Sequence, residues 1–327
     1  MASRILPVAK PFLRGYVHHA IAFSIIDLSS ESDNHWFASN FIQLRCPHDL
    51  PSNRHSTLDF YHETFYAAYD DQFTIQTIHK NVIAHYNGGV IRFLIDTLEA
   101  DGYTELMVNE SYIPGTSTYM KDDFTHNIFI YGYDQEASVF YGKFVKDGVF
   151  TEAQILFEAL QEAYARTNGQ AVWVNHSKVY TRLHNPITFD STRFYGFLSD
   201  YVKSRSCYRD NKMYVFGLDI YDKVIEYFGL LQEGRAESDI RVLHSLWEHK
   251  QSMRYKIKFL QEAGLLDPGA DTVHRLEELE GDAFKLRALH LRSFFSPDQG
   301  LYAKIIRRTG ELREKEAEVY ESMLSRR

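Results

Sequence analysis

Residues 104–113 read Thr-Glu-Leu-Met-Val-Asn-Glu-Ser-Tyr-Ile, and after a polar loop residues 126–134 read His-Asn-Ile-Phe-Ile-Tyr-Gly-Tyr-Asp. Both runs are rich in Ile, Val, Phe and Tyr and are bounded by turn residues, the signature of strands that bury at least one face. Residues 138–145 repeat the pattern. The three runs are expected to form one antiparallel sheet, because each is separated from the next by a short turn-forming segment.

Helical spacing appears on either side of these strands. Residues 18–28 form an apolar block entered from Gly15, which reads as a short buried helix. Gly88-Gly89 introduces residues 90–100, where Ile91, Leu94, Ile95 and Leu98 fall on one helical face and Gly102 is a stop. Residues 151–166 are expected to be an amphipathic helix, with Thr151 as cap, Gln154 at the capping-box position and Gly169 past the end. A further strand is expected at 171–183 and a helix at 191–204. The aromatic stretches 36–44 and 59–69 suit either strand or helix.

From Leu218 onward almost every segment has a helical period, broken at Gly234, Pro268-Gly269 and Pro297. Leu243, Leu246, Trp247, Met253, Ile257 and Leu260 mark one apolar face, whereas the run Arg313-Glu314-Lys315-Glu316 reads as a solvated helix face. The expected fold is therefore α+β, a core of residues 1–215 followed by a helical C-terminal region of residues 216–327. Leu218, Ile220, Tyr221, Val224, Ile225, Tyr227 and Phe228 are apolar beyond one face, which suggests a lid packed on that core.

Composition narrows the partners. A net charge of −8 disfavours nucleic acid and anionic membrane, both of which need clustered Lys and Arg. Only Cys46 and Cys207 occur, so no disulfide framework is expected; with no signal-like N-terminus and no apolar run of membrane-spanning length, a soluble cytoplasmic protein is expected. The chain lacks the Gly-rich dinucleotide turn, the phosphate loop, Cys-x-x-Cys and His-Glu-x-x-His, so neither a cofactor nor a metal is expected.

Among titratable residues His126 is the first candidate. It opens a strand that ends in a Gly-Tyr-Asp turn, and an imidazole at a sheet rim can act as general base near neutral pH. The surrounding residues carry a resemblance. Glu110, Tyr112 and Pro114 followed by His126, Gly132, Tyr133 and Asp134 resemble the butirosin-biosynthesis type of acyltransferase, and Phe216-Gly217-Leu218-Asp219-Ile220-Tyr221 resembles the start of that family's helical C-terminal region. The resemblance implies a papain-like or C39-peptidase-like core that transfers an acyl or peptidyl group from a carrier-protein thioester to a small amine, in secondary metabolism such as nonribosomal peptide biosynthesis. It also implies substrate contacts at Glu110, Tyr112, Tyr133 and Asp134.

The chain departs from that family at two places. The position of the nucleophilic cysteine, at the start of the first helix, holds His18-His19, with His19 in the preferred register and Val17 as the other choice. His18 and His19 thus join His126 as candidate catalytic residues, His19 as acyl acceptor or second proton-transfer group. Backbone amides at that helix start are the expected oxyanion donors. The acid that orients the base would fall near Gly142-Lys143, where neither residue can serve; Asp147 is the nearest carboxylate. Cys46 follows an apolar run and reads as a buried structural thiol. Two functions are carried forward: an acyl- or peptidyl-transfer enzyme, and a catalytically degenerate binding or scaffold protein that docks to a synthetase or carrier domain.

Overall fold

The computed structural model describes residues 3–50, 57–62, 67–167, 169, 171–208, 212–296 and 298–327. Residues 63–66 of the second aromatic stretch and the Pro297 break lie outside the described residues. Along the chain the elements run β1 (Ser3–Ile5), α1 (Val17–Ile25), α2 (Glu31–Ser39), β2 (Leu44–Pro47), β3 (Asp59–Phe60) and β4 (Phe73–His79). Next come α3 (Lys80–Ala84), α4 (Gly89–Glu99), β5 (Gly102–Asn109), β6 (Thr125–Asp134), β7 (Val139–Lys146), β8 (Val149–Leu156), α5 (Phe157–Ala165) and β9 (His176–Arg182). They are followed by α6 (Ser191–Val202), β10 (Tyr214–Phe216), α7 (Ile220–Gln232), α8 (Arg241–Glu262), α9 (Thr272–Phe295) and α10 (Gln299–Leu324). The chain is α+β, with an antiparallel sheet and C-terminal helices as the sequence suggests.

These elements fall into two compact units, each discontinuous in sequence: Met1–Asp27 with Tyr69–Asn185, and Leu28–Ala68 with Pro186–Arg327. The division therefore does not fall at residue 216. The reason lies in strand pairing, because β10 joins β2, with Val215 opposite Cys46, and this ties residues 28–68 to the helical region.

The first unit is built on a sheet of order β4-β9-β5-β6-β7-β8, with β1 pairing the far end of β6. Strands β5, β6 and β7 confirm the three expected runs, but residues 110–112 leave the first of them as a 3-10 turn. At the junction of β1 and β6 a Cβ on Gly132 would lie 2.8 Å from the Arg4 carbonyl oxygen, so only glycine lets the two backbones approach there. The helix expected at 151–166 is a strand in its first half. Asp147 and Gly148 take left-handed conformations, at φ 50° and 77°, which makes a two-residue hairpin turn and returns β8 along β7. Only from Phe157 does the helix begin.

Side-chain alternation sorts the sheet into two faces. Glu105, Asn127 and Tyr180 share one, linked directly by hydrogen bonds; Leu106, Val108, His126 and Ile128 share the other. Helix α1 lies on the first face: Phe23 meets Tyr69, Tyr69 meets Phe73, and Phe73 packs edge-on against Tyr180. Helix α4 covers the second, where the Thr97 methyl group fills the space beside Gly102.

In the second unit the apolar surface of α7 is met by α10 and β2, so the unit covers its own helices. The apolar residues from which a lid is expected thus have partners within their own unit. Helix α8 adds a polar clamp. Lys256 Nζ donates to the carbonyls of Asn40 (2.5 Å) and Phe41 (2.7 Å), and His249 Nε2 donates to Ile42 (2.7 Å), securing a turn in which Phe41 has φ 56°. Among the described residues no helix is long and apolar enough to cross a membrane.

Candidate functional site

The β5–β6 pairing places Val108 opposite His126, so Glu110, two residues beyond Val108, arrives beside the imidazole. Its backbone N–H donates to the Phe124 carbonyl at 2.8 Å, which continues the ladder by one more step. His126 Nδ1 lies 3.1 Å from Glu110 Oε1. The carboxylate side chain is 4% exposed and the imidazole 27%, so a buried acid supports a base that reaches solvent. With Nδ1–H donating to Glu110, the Nε2 lone pair is the free one; among the described residues it takes no hydrogen bond. The Phe124 ring stacks on the imidazole, centroids 5.3 Å apart.

Glu110 is thus the carboxylate that stands beside His126, where an acid is expected from residues near Gly142-Lys143. Lys143 is buried, its ammonium near Ala9 O at 3.4 Å and Glu152 at 3.3 Å. Asp147 sits in the hairpin turn and accepts from the Ser117 hydroxyl at 2.8 Å.

Asn109 holds the loop that carries both partners. Its Oδ1 accepts from Ser111 N (3.1 Å), Ser111 Oγ (2.8 Å) and Phe124 N (3.3 Å), while Nδ2 donates to Asp123 Oδ1 (2.9 Å). One buried amide thus joins the two ends of the 110–124 loop. Sequence reasoning missed this residue; the Asn-x-Ser spacing at a strand end was the available signal. Tyr112, half-buried in the same loop, lies close enough to Arg166 to influence its guanidinium.

The other candidates sit elsewhere in this unit. Tyr133 is buried and its hydroxyl donates to Glu99 Oε1 at 2.5 Å. Asp134 Oδ1 accepts from the backbone amides of Glu136 (2.8 Å) and Ala137 (3.0 Å), closing a turn. Both stand at the opposite end of β6 from His126, about 24 Å along the strand. His19 is buried on α1 with Nδ1 2.7 Å from the Tyr69 hydroxyl, and its ring centroid is 4.1 Å from that of His18. Because α1 covers the face that carries Asn127, the structure sets His18 and His19 on one side of the sheet and His126 on the other. It brings together His126 and Glu110, and separately His18 and His19.

On the α1 face Glu105 is wholly buried. Burial alone would raise its carboxyl, but the Lys178 ammonium at 2.7 Å and hydrogen bonds from Lys178, Tyr180 and Asn127 outweigh this and hold it below the usual range. It is an ionised anchor for β5, β6 and β9. A second imidazole pair, His79 and His176, faces across β4 and β9 with centroids 5.1 Å apart. His79 Nδ1 accepts from the Asn81 amide, which keeps its proton on Nε2, so the neutral pair offers a metal one lone pair rather than two. Neither thiol is a ready nucleophile, since burial pushes Cys46 and Cys207 each up to about 12.

No protein-family model matches the chain, and no curated protein matches it.

Proposed function

We propose that this protein is an acyl- or peptidyl-transfer enzyme that moves a group from a carrier-protein thioester to a small amine without a covalent enzyme intermediate. The supporting observation is the His126–Glu110 pair, a part-exposed imidazole whose tautomer and orientation are set by a buried carboxylate. In this reading the amine nitrogen attacks the thioester carbonyl as His126 Nε2 takes its proton. A C–N bond forms, the C–S bond breaks, and the carrier thiolate leaves to collect the proton. Glu110 steadies the imidazolium that forms between those events. Holding thioester and amine together supplies much of the acceleration, so no cysteine is required. A papain-like core related to the butirosin-biosynthesis acyltransferases, a cytoplasmic location and a role in secondary metabolism belong to the same reading, carried by the motif around Glu110 and His126.

The test is product formation on a carrier-linked acyl or peptidyl substrate with an amine acceptor. Replacement His126→Ala should abolish it, and near-full retention removes His126 from the chemistry.

A second reading is a binding or scaffold protein that docks to a synthetase or carrier domain. It is favoured by the separation of His126 from His18 and His19, and by two thiols that stay protonated. Mass spectrometry after exposure to acyl-carrier thioester separates the two. Formation of amide product supports the first reading, and the absence of both product and adduct supports the second.

A further inference from the structure

β8 ends the path of the first unit's sheet, with β7 as its neighbour on one side. Edge strands of soluble proteins are ordinarily blunted by Lys, Pro, a bulge or short length. β8 has none of these protections: it is 8 residues long, runs in unbroken register with β7, and its one charge is Glu152. Val149 is 62% and Leu156 45% exposed. The opposite edge, β4, presents Thr74, Gln76 and Thr77 to solvent instead, and offers less apolar surface to bury.

The backbone groups that face outward follow from the hairpin. A two-residue loop makes Lys146 and Val149 the pair that exchanges hydrogen bonds, after which the ladder alternates. Thr151, Ala153 and Ile155 therefore bond to β7, and the Phe157 amide continues the series by donating to Ser138 O at 3.0 Å. The amides and carbonyls of Phe150, Glu152 and Gln154 point away from the sheet, and among the described residues no backbone partner faces them; Leu156 is the N-cap of α5, so its carbonyl turns into the first helical turn.

We infer that β8 is the dimerisation edge of this protein, pairing antiparallel with β8 of a second copy about a two-fold axis at Ala153. The axis stands perpendicular to the sheet, so each side chain keeps its face and the two paired residue numbers must sum to an even total. Centring on Ala153 sets Glu152 opposite Gln154 of the second copy, a hydrogen-bonded pair through outward-facing backbone, and brings Phe150 opposite its Leu156. Thr151 then meets Ile155 of the second copy, and Ala153 meets its own equivalent as a close, non-hydrogen-bonded pair. The neighbouring axis at Glu152 would instead oppose two like charges, which is destabilising. The chosen register places a carboxylate against an amide, buries Leu156 against Phe150, and satisfies the open edge of both copies.

Sedimentation velocity on the full chain should show a dimer. Because the Glu152–Gln154 pairing occurs twice in the assembly, Gln154→Glu should weaken dimerisation about tenfold and Gln154→Lys should strengthen it several-fold, roughly the effect of two cross-strand charge pairs. Both positions are on the exposed edge, so circular dichroism should be unchanged. Ala153→Cys should give a disulfide-linked dimer under mild oxidation, since facing residues in a non-hydrogen-bonded pair have Cα atoms about 4.5 Å apart. A chain that stays monomeric at about 100 µM overturns the inference. So does a dimer indifferent to both Gln154 variants, which would point to β4 or another surface.

Discussion

Glu110 reaches His126 across the open end of the β5–β6 pair, and the 3.1 Å contact joins a carboxylate from which water is excluded to an imidazole that water can touch. In the proposed reaction the pair supplies a base whose direction is fixed from behind. Replacing Glu110 with Gln keeps the shape but removes the charge that steadies an imidazolium. Turnover on a carrier-linked substrate should fall about 10²-fold, with the circular dichroism spectrum unchanged. A fall smaller than threefold would remove Glu110 from the mechanism.

The thiols make a second, simpler case. Burial raises both Cys46 and Cys207 to about 12, so at pH 8 neither carries appreciable thiolate in the folded chain. Labelling of buried Cys46 by an aromatic disulfide reagent should be slow and should follow unfolding, and labelling of half-buried Cys207 should be slow for want of thiolate; both should become fast in denaturant. Rapid stoichiometric labelling of the native protein at either position would contradict this burial.

Stability should depend on pH through His290. Burial lowers its pKa from 6.5 to about 4, and its Nε2 shares a 3.0 Å hydrogen bond with Ser238 Oγ. The unfolded chain takes up this proton near 6.5 and the folded chain only near 4, so the unfolded state holds more protons between those values. Stability is therefore full above pH 6.5 and declines as pH falls towards 4, by about 3 kcal/mol in all from this group. His249, also held low by burial and then by the neighbouring Lys250, adds in the same direction. Urea melts at pH 7 and pH 5 should show the loss, and His290→Leu should flatten it; a stability that rises on acidification excludes the account.

The buried cluster on α8 and α10 invites a comparison of breaking the ion pair with replacing it whole. Lys250 Nζ pairs with Glu316 Oε1 and also contacts His249 Nδ1 at 2.9 Å, while Glu316 Oε2 accepts from Tyr221 (2.5 Å) and Tyr201 (3.1 Å). Glu316→Gln leaves the ammonium without its counter-charge and should cost about 3–5 kcal/mol, whereas Lys250→Met with Glu316→Leu should recover much of that. Fluorescence of Trp36 and Trp247, both buried in this unit, reports the transition. Equal losses for the single and double variants would show that the ion pair itself is not the source.

What could be read from the sequence was whatever depends on short-range pattern. The strands at 126–134 and 139–146 and the helices of the second unit follow from local periodicity, and structure and pattern agree there. Residues 151–156 did not, because Thr151 and Gln154 mimic a helix cap while the Asp147-Gly148 turn just upstream dictates a hairpin. The Glu110–His126 pairing was hidden by a sequence separation of 16 and needs the strand register to be known. The position of His18 and His19 depends on which face α1 covers, and helix spacing carries no information about that. The residue groups 28–68 and 186–215 look like parts of the first domain because nothing local announces that β2 will pair with β10.

That interleaving bears on how the protein is made. Residues 28–68 emerge from the ribosome early, yet His249 and Lys256 are synthesised 207 to 216 residues after the carbonyls they secure, and the carboxylate of Glu316, which pairs with Lys250, later still. At ordinary elongation rates of about 5–20 residues per second, Trp36, Phe37 and Phe41 wait roughly ten to fifty seconds before their unit can close. During that interval an aromatic segment is without its native cover, so newly made chains should be the form most dependent on chaperones, and slowed translation beyond residue 186 the condition most prone to loss of protein.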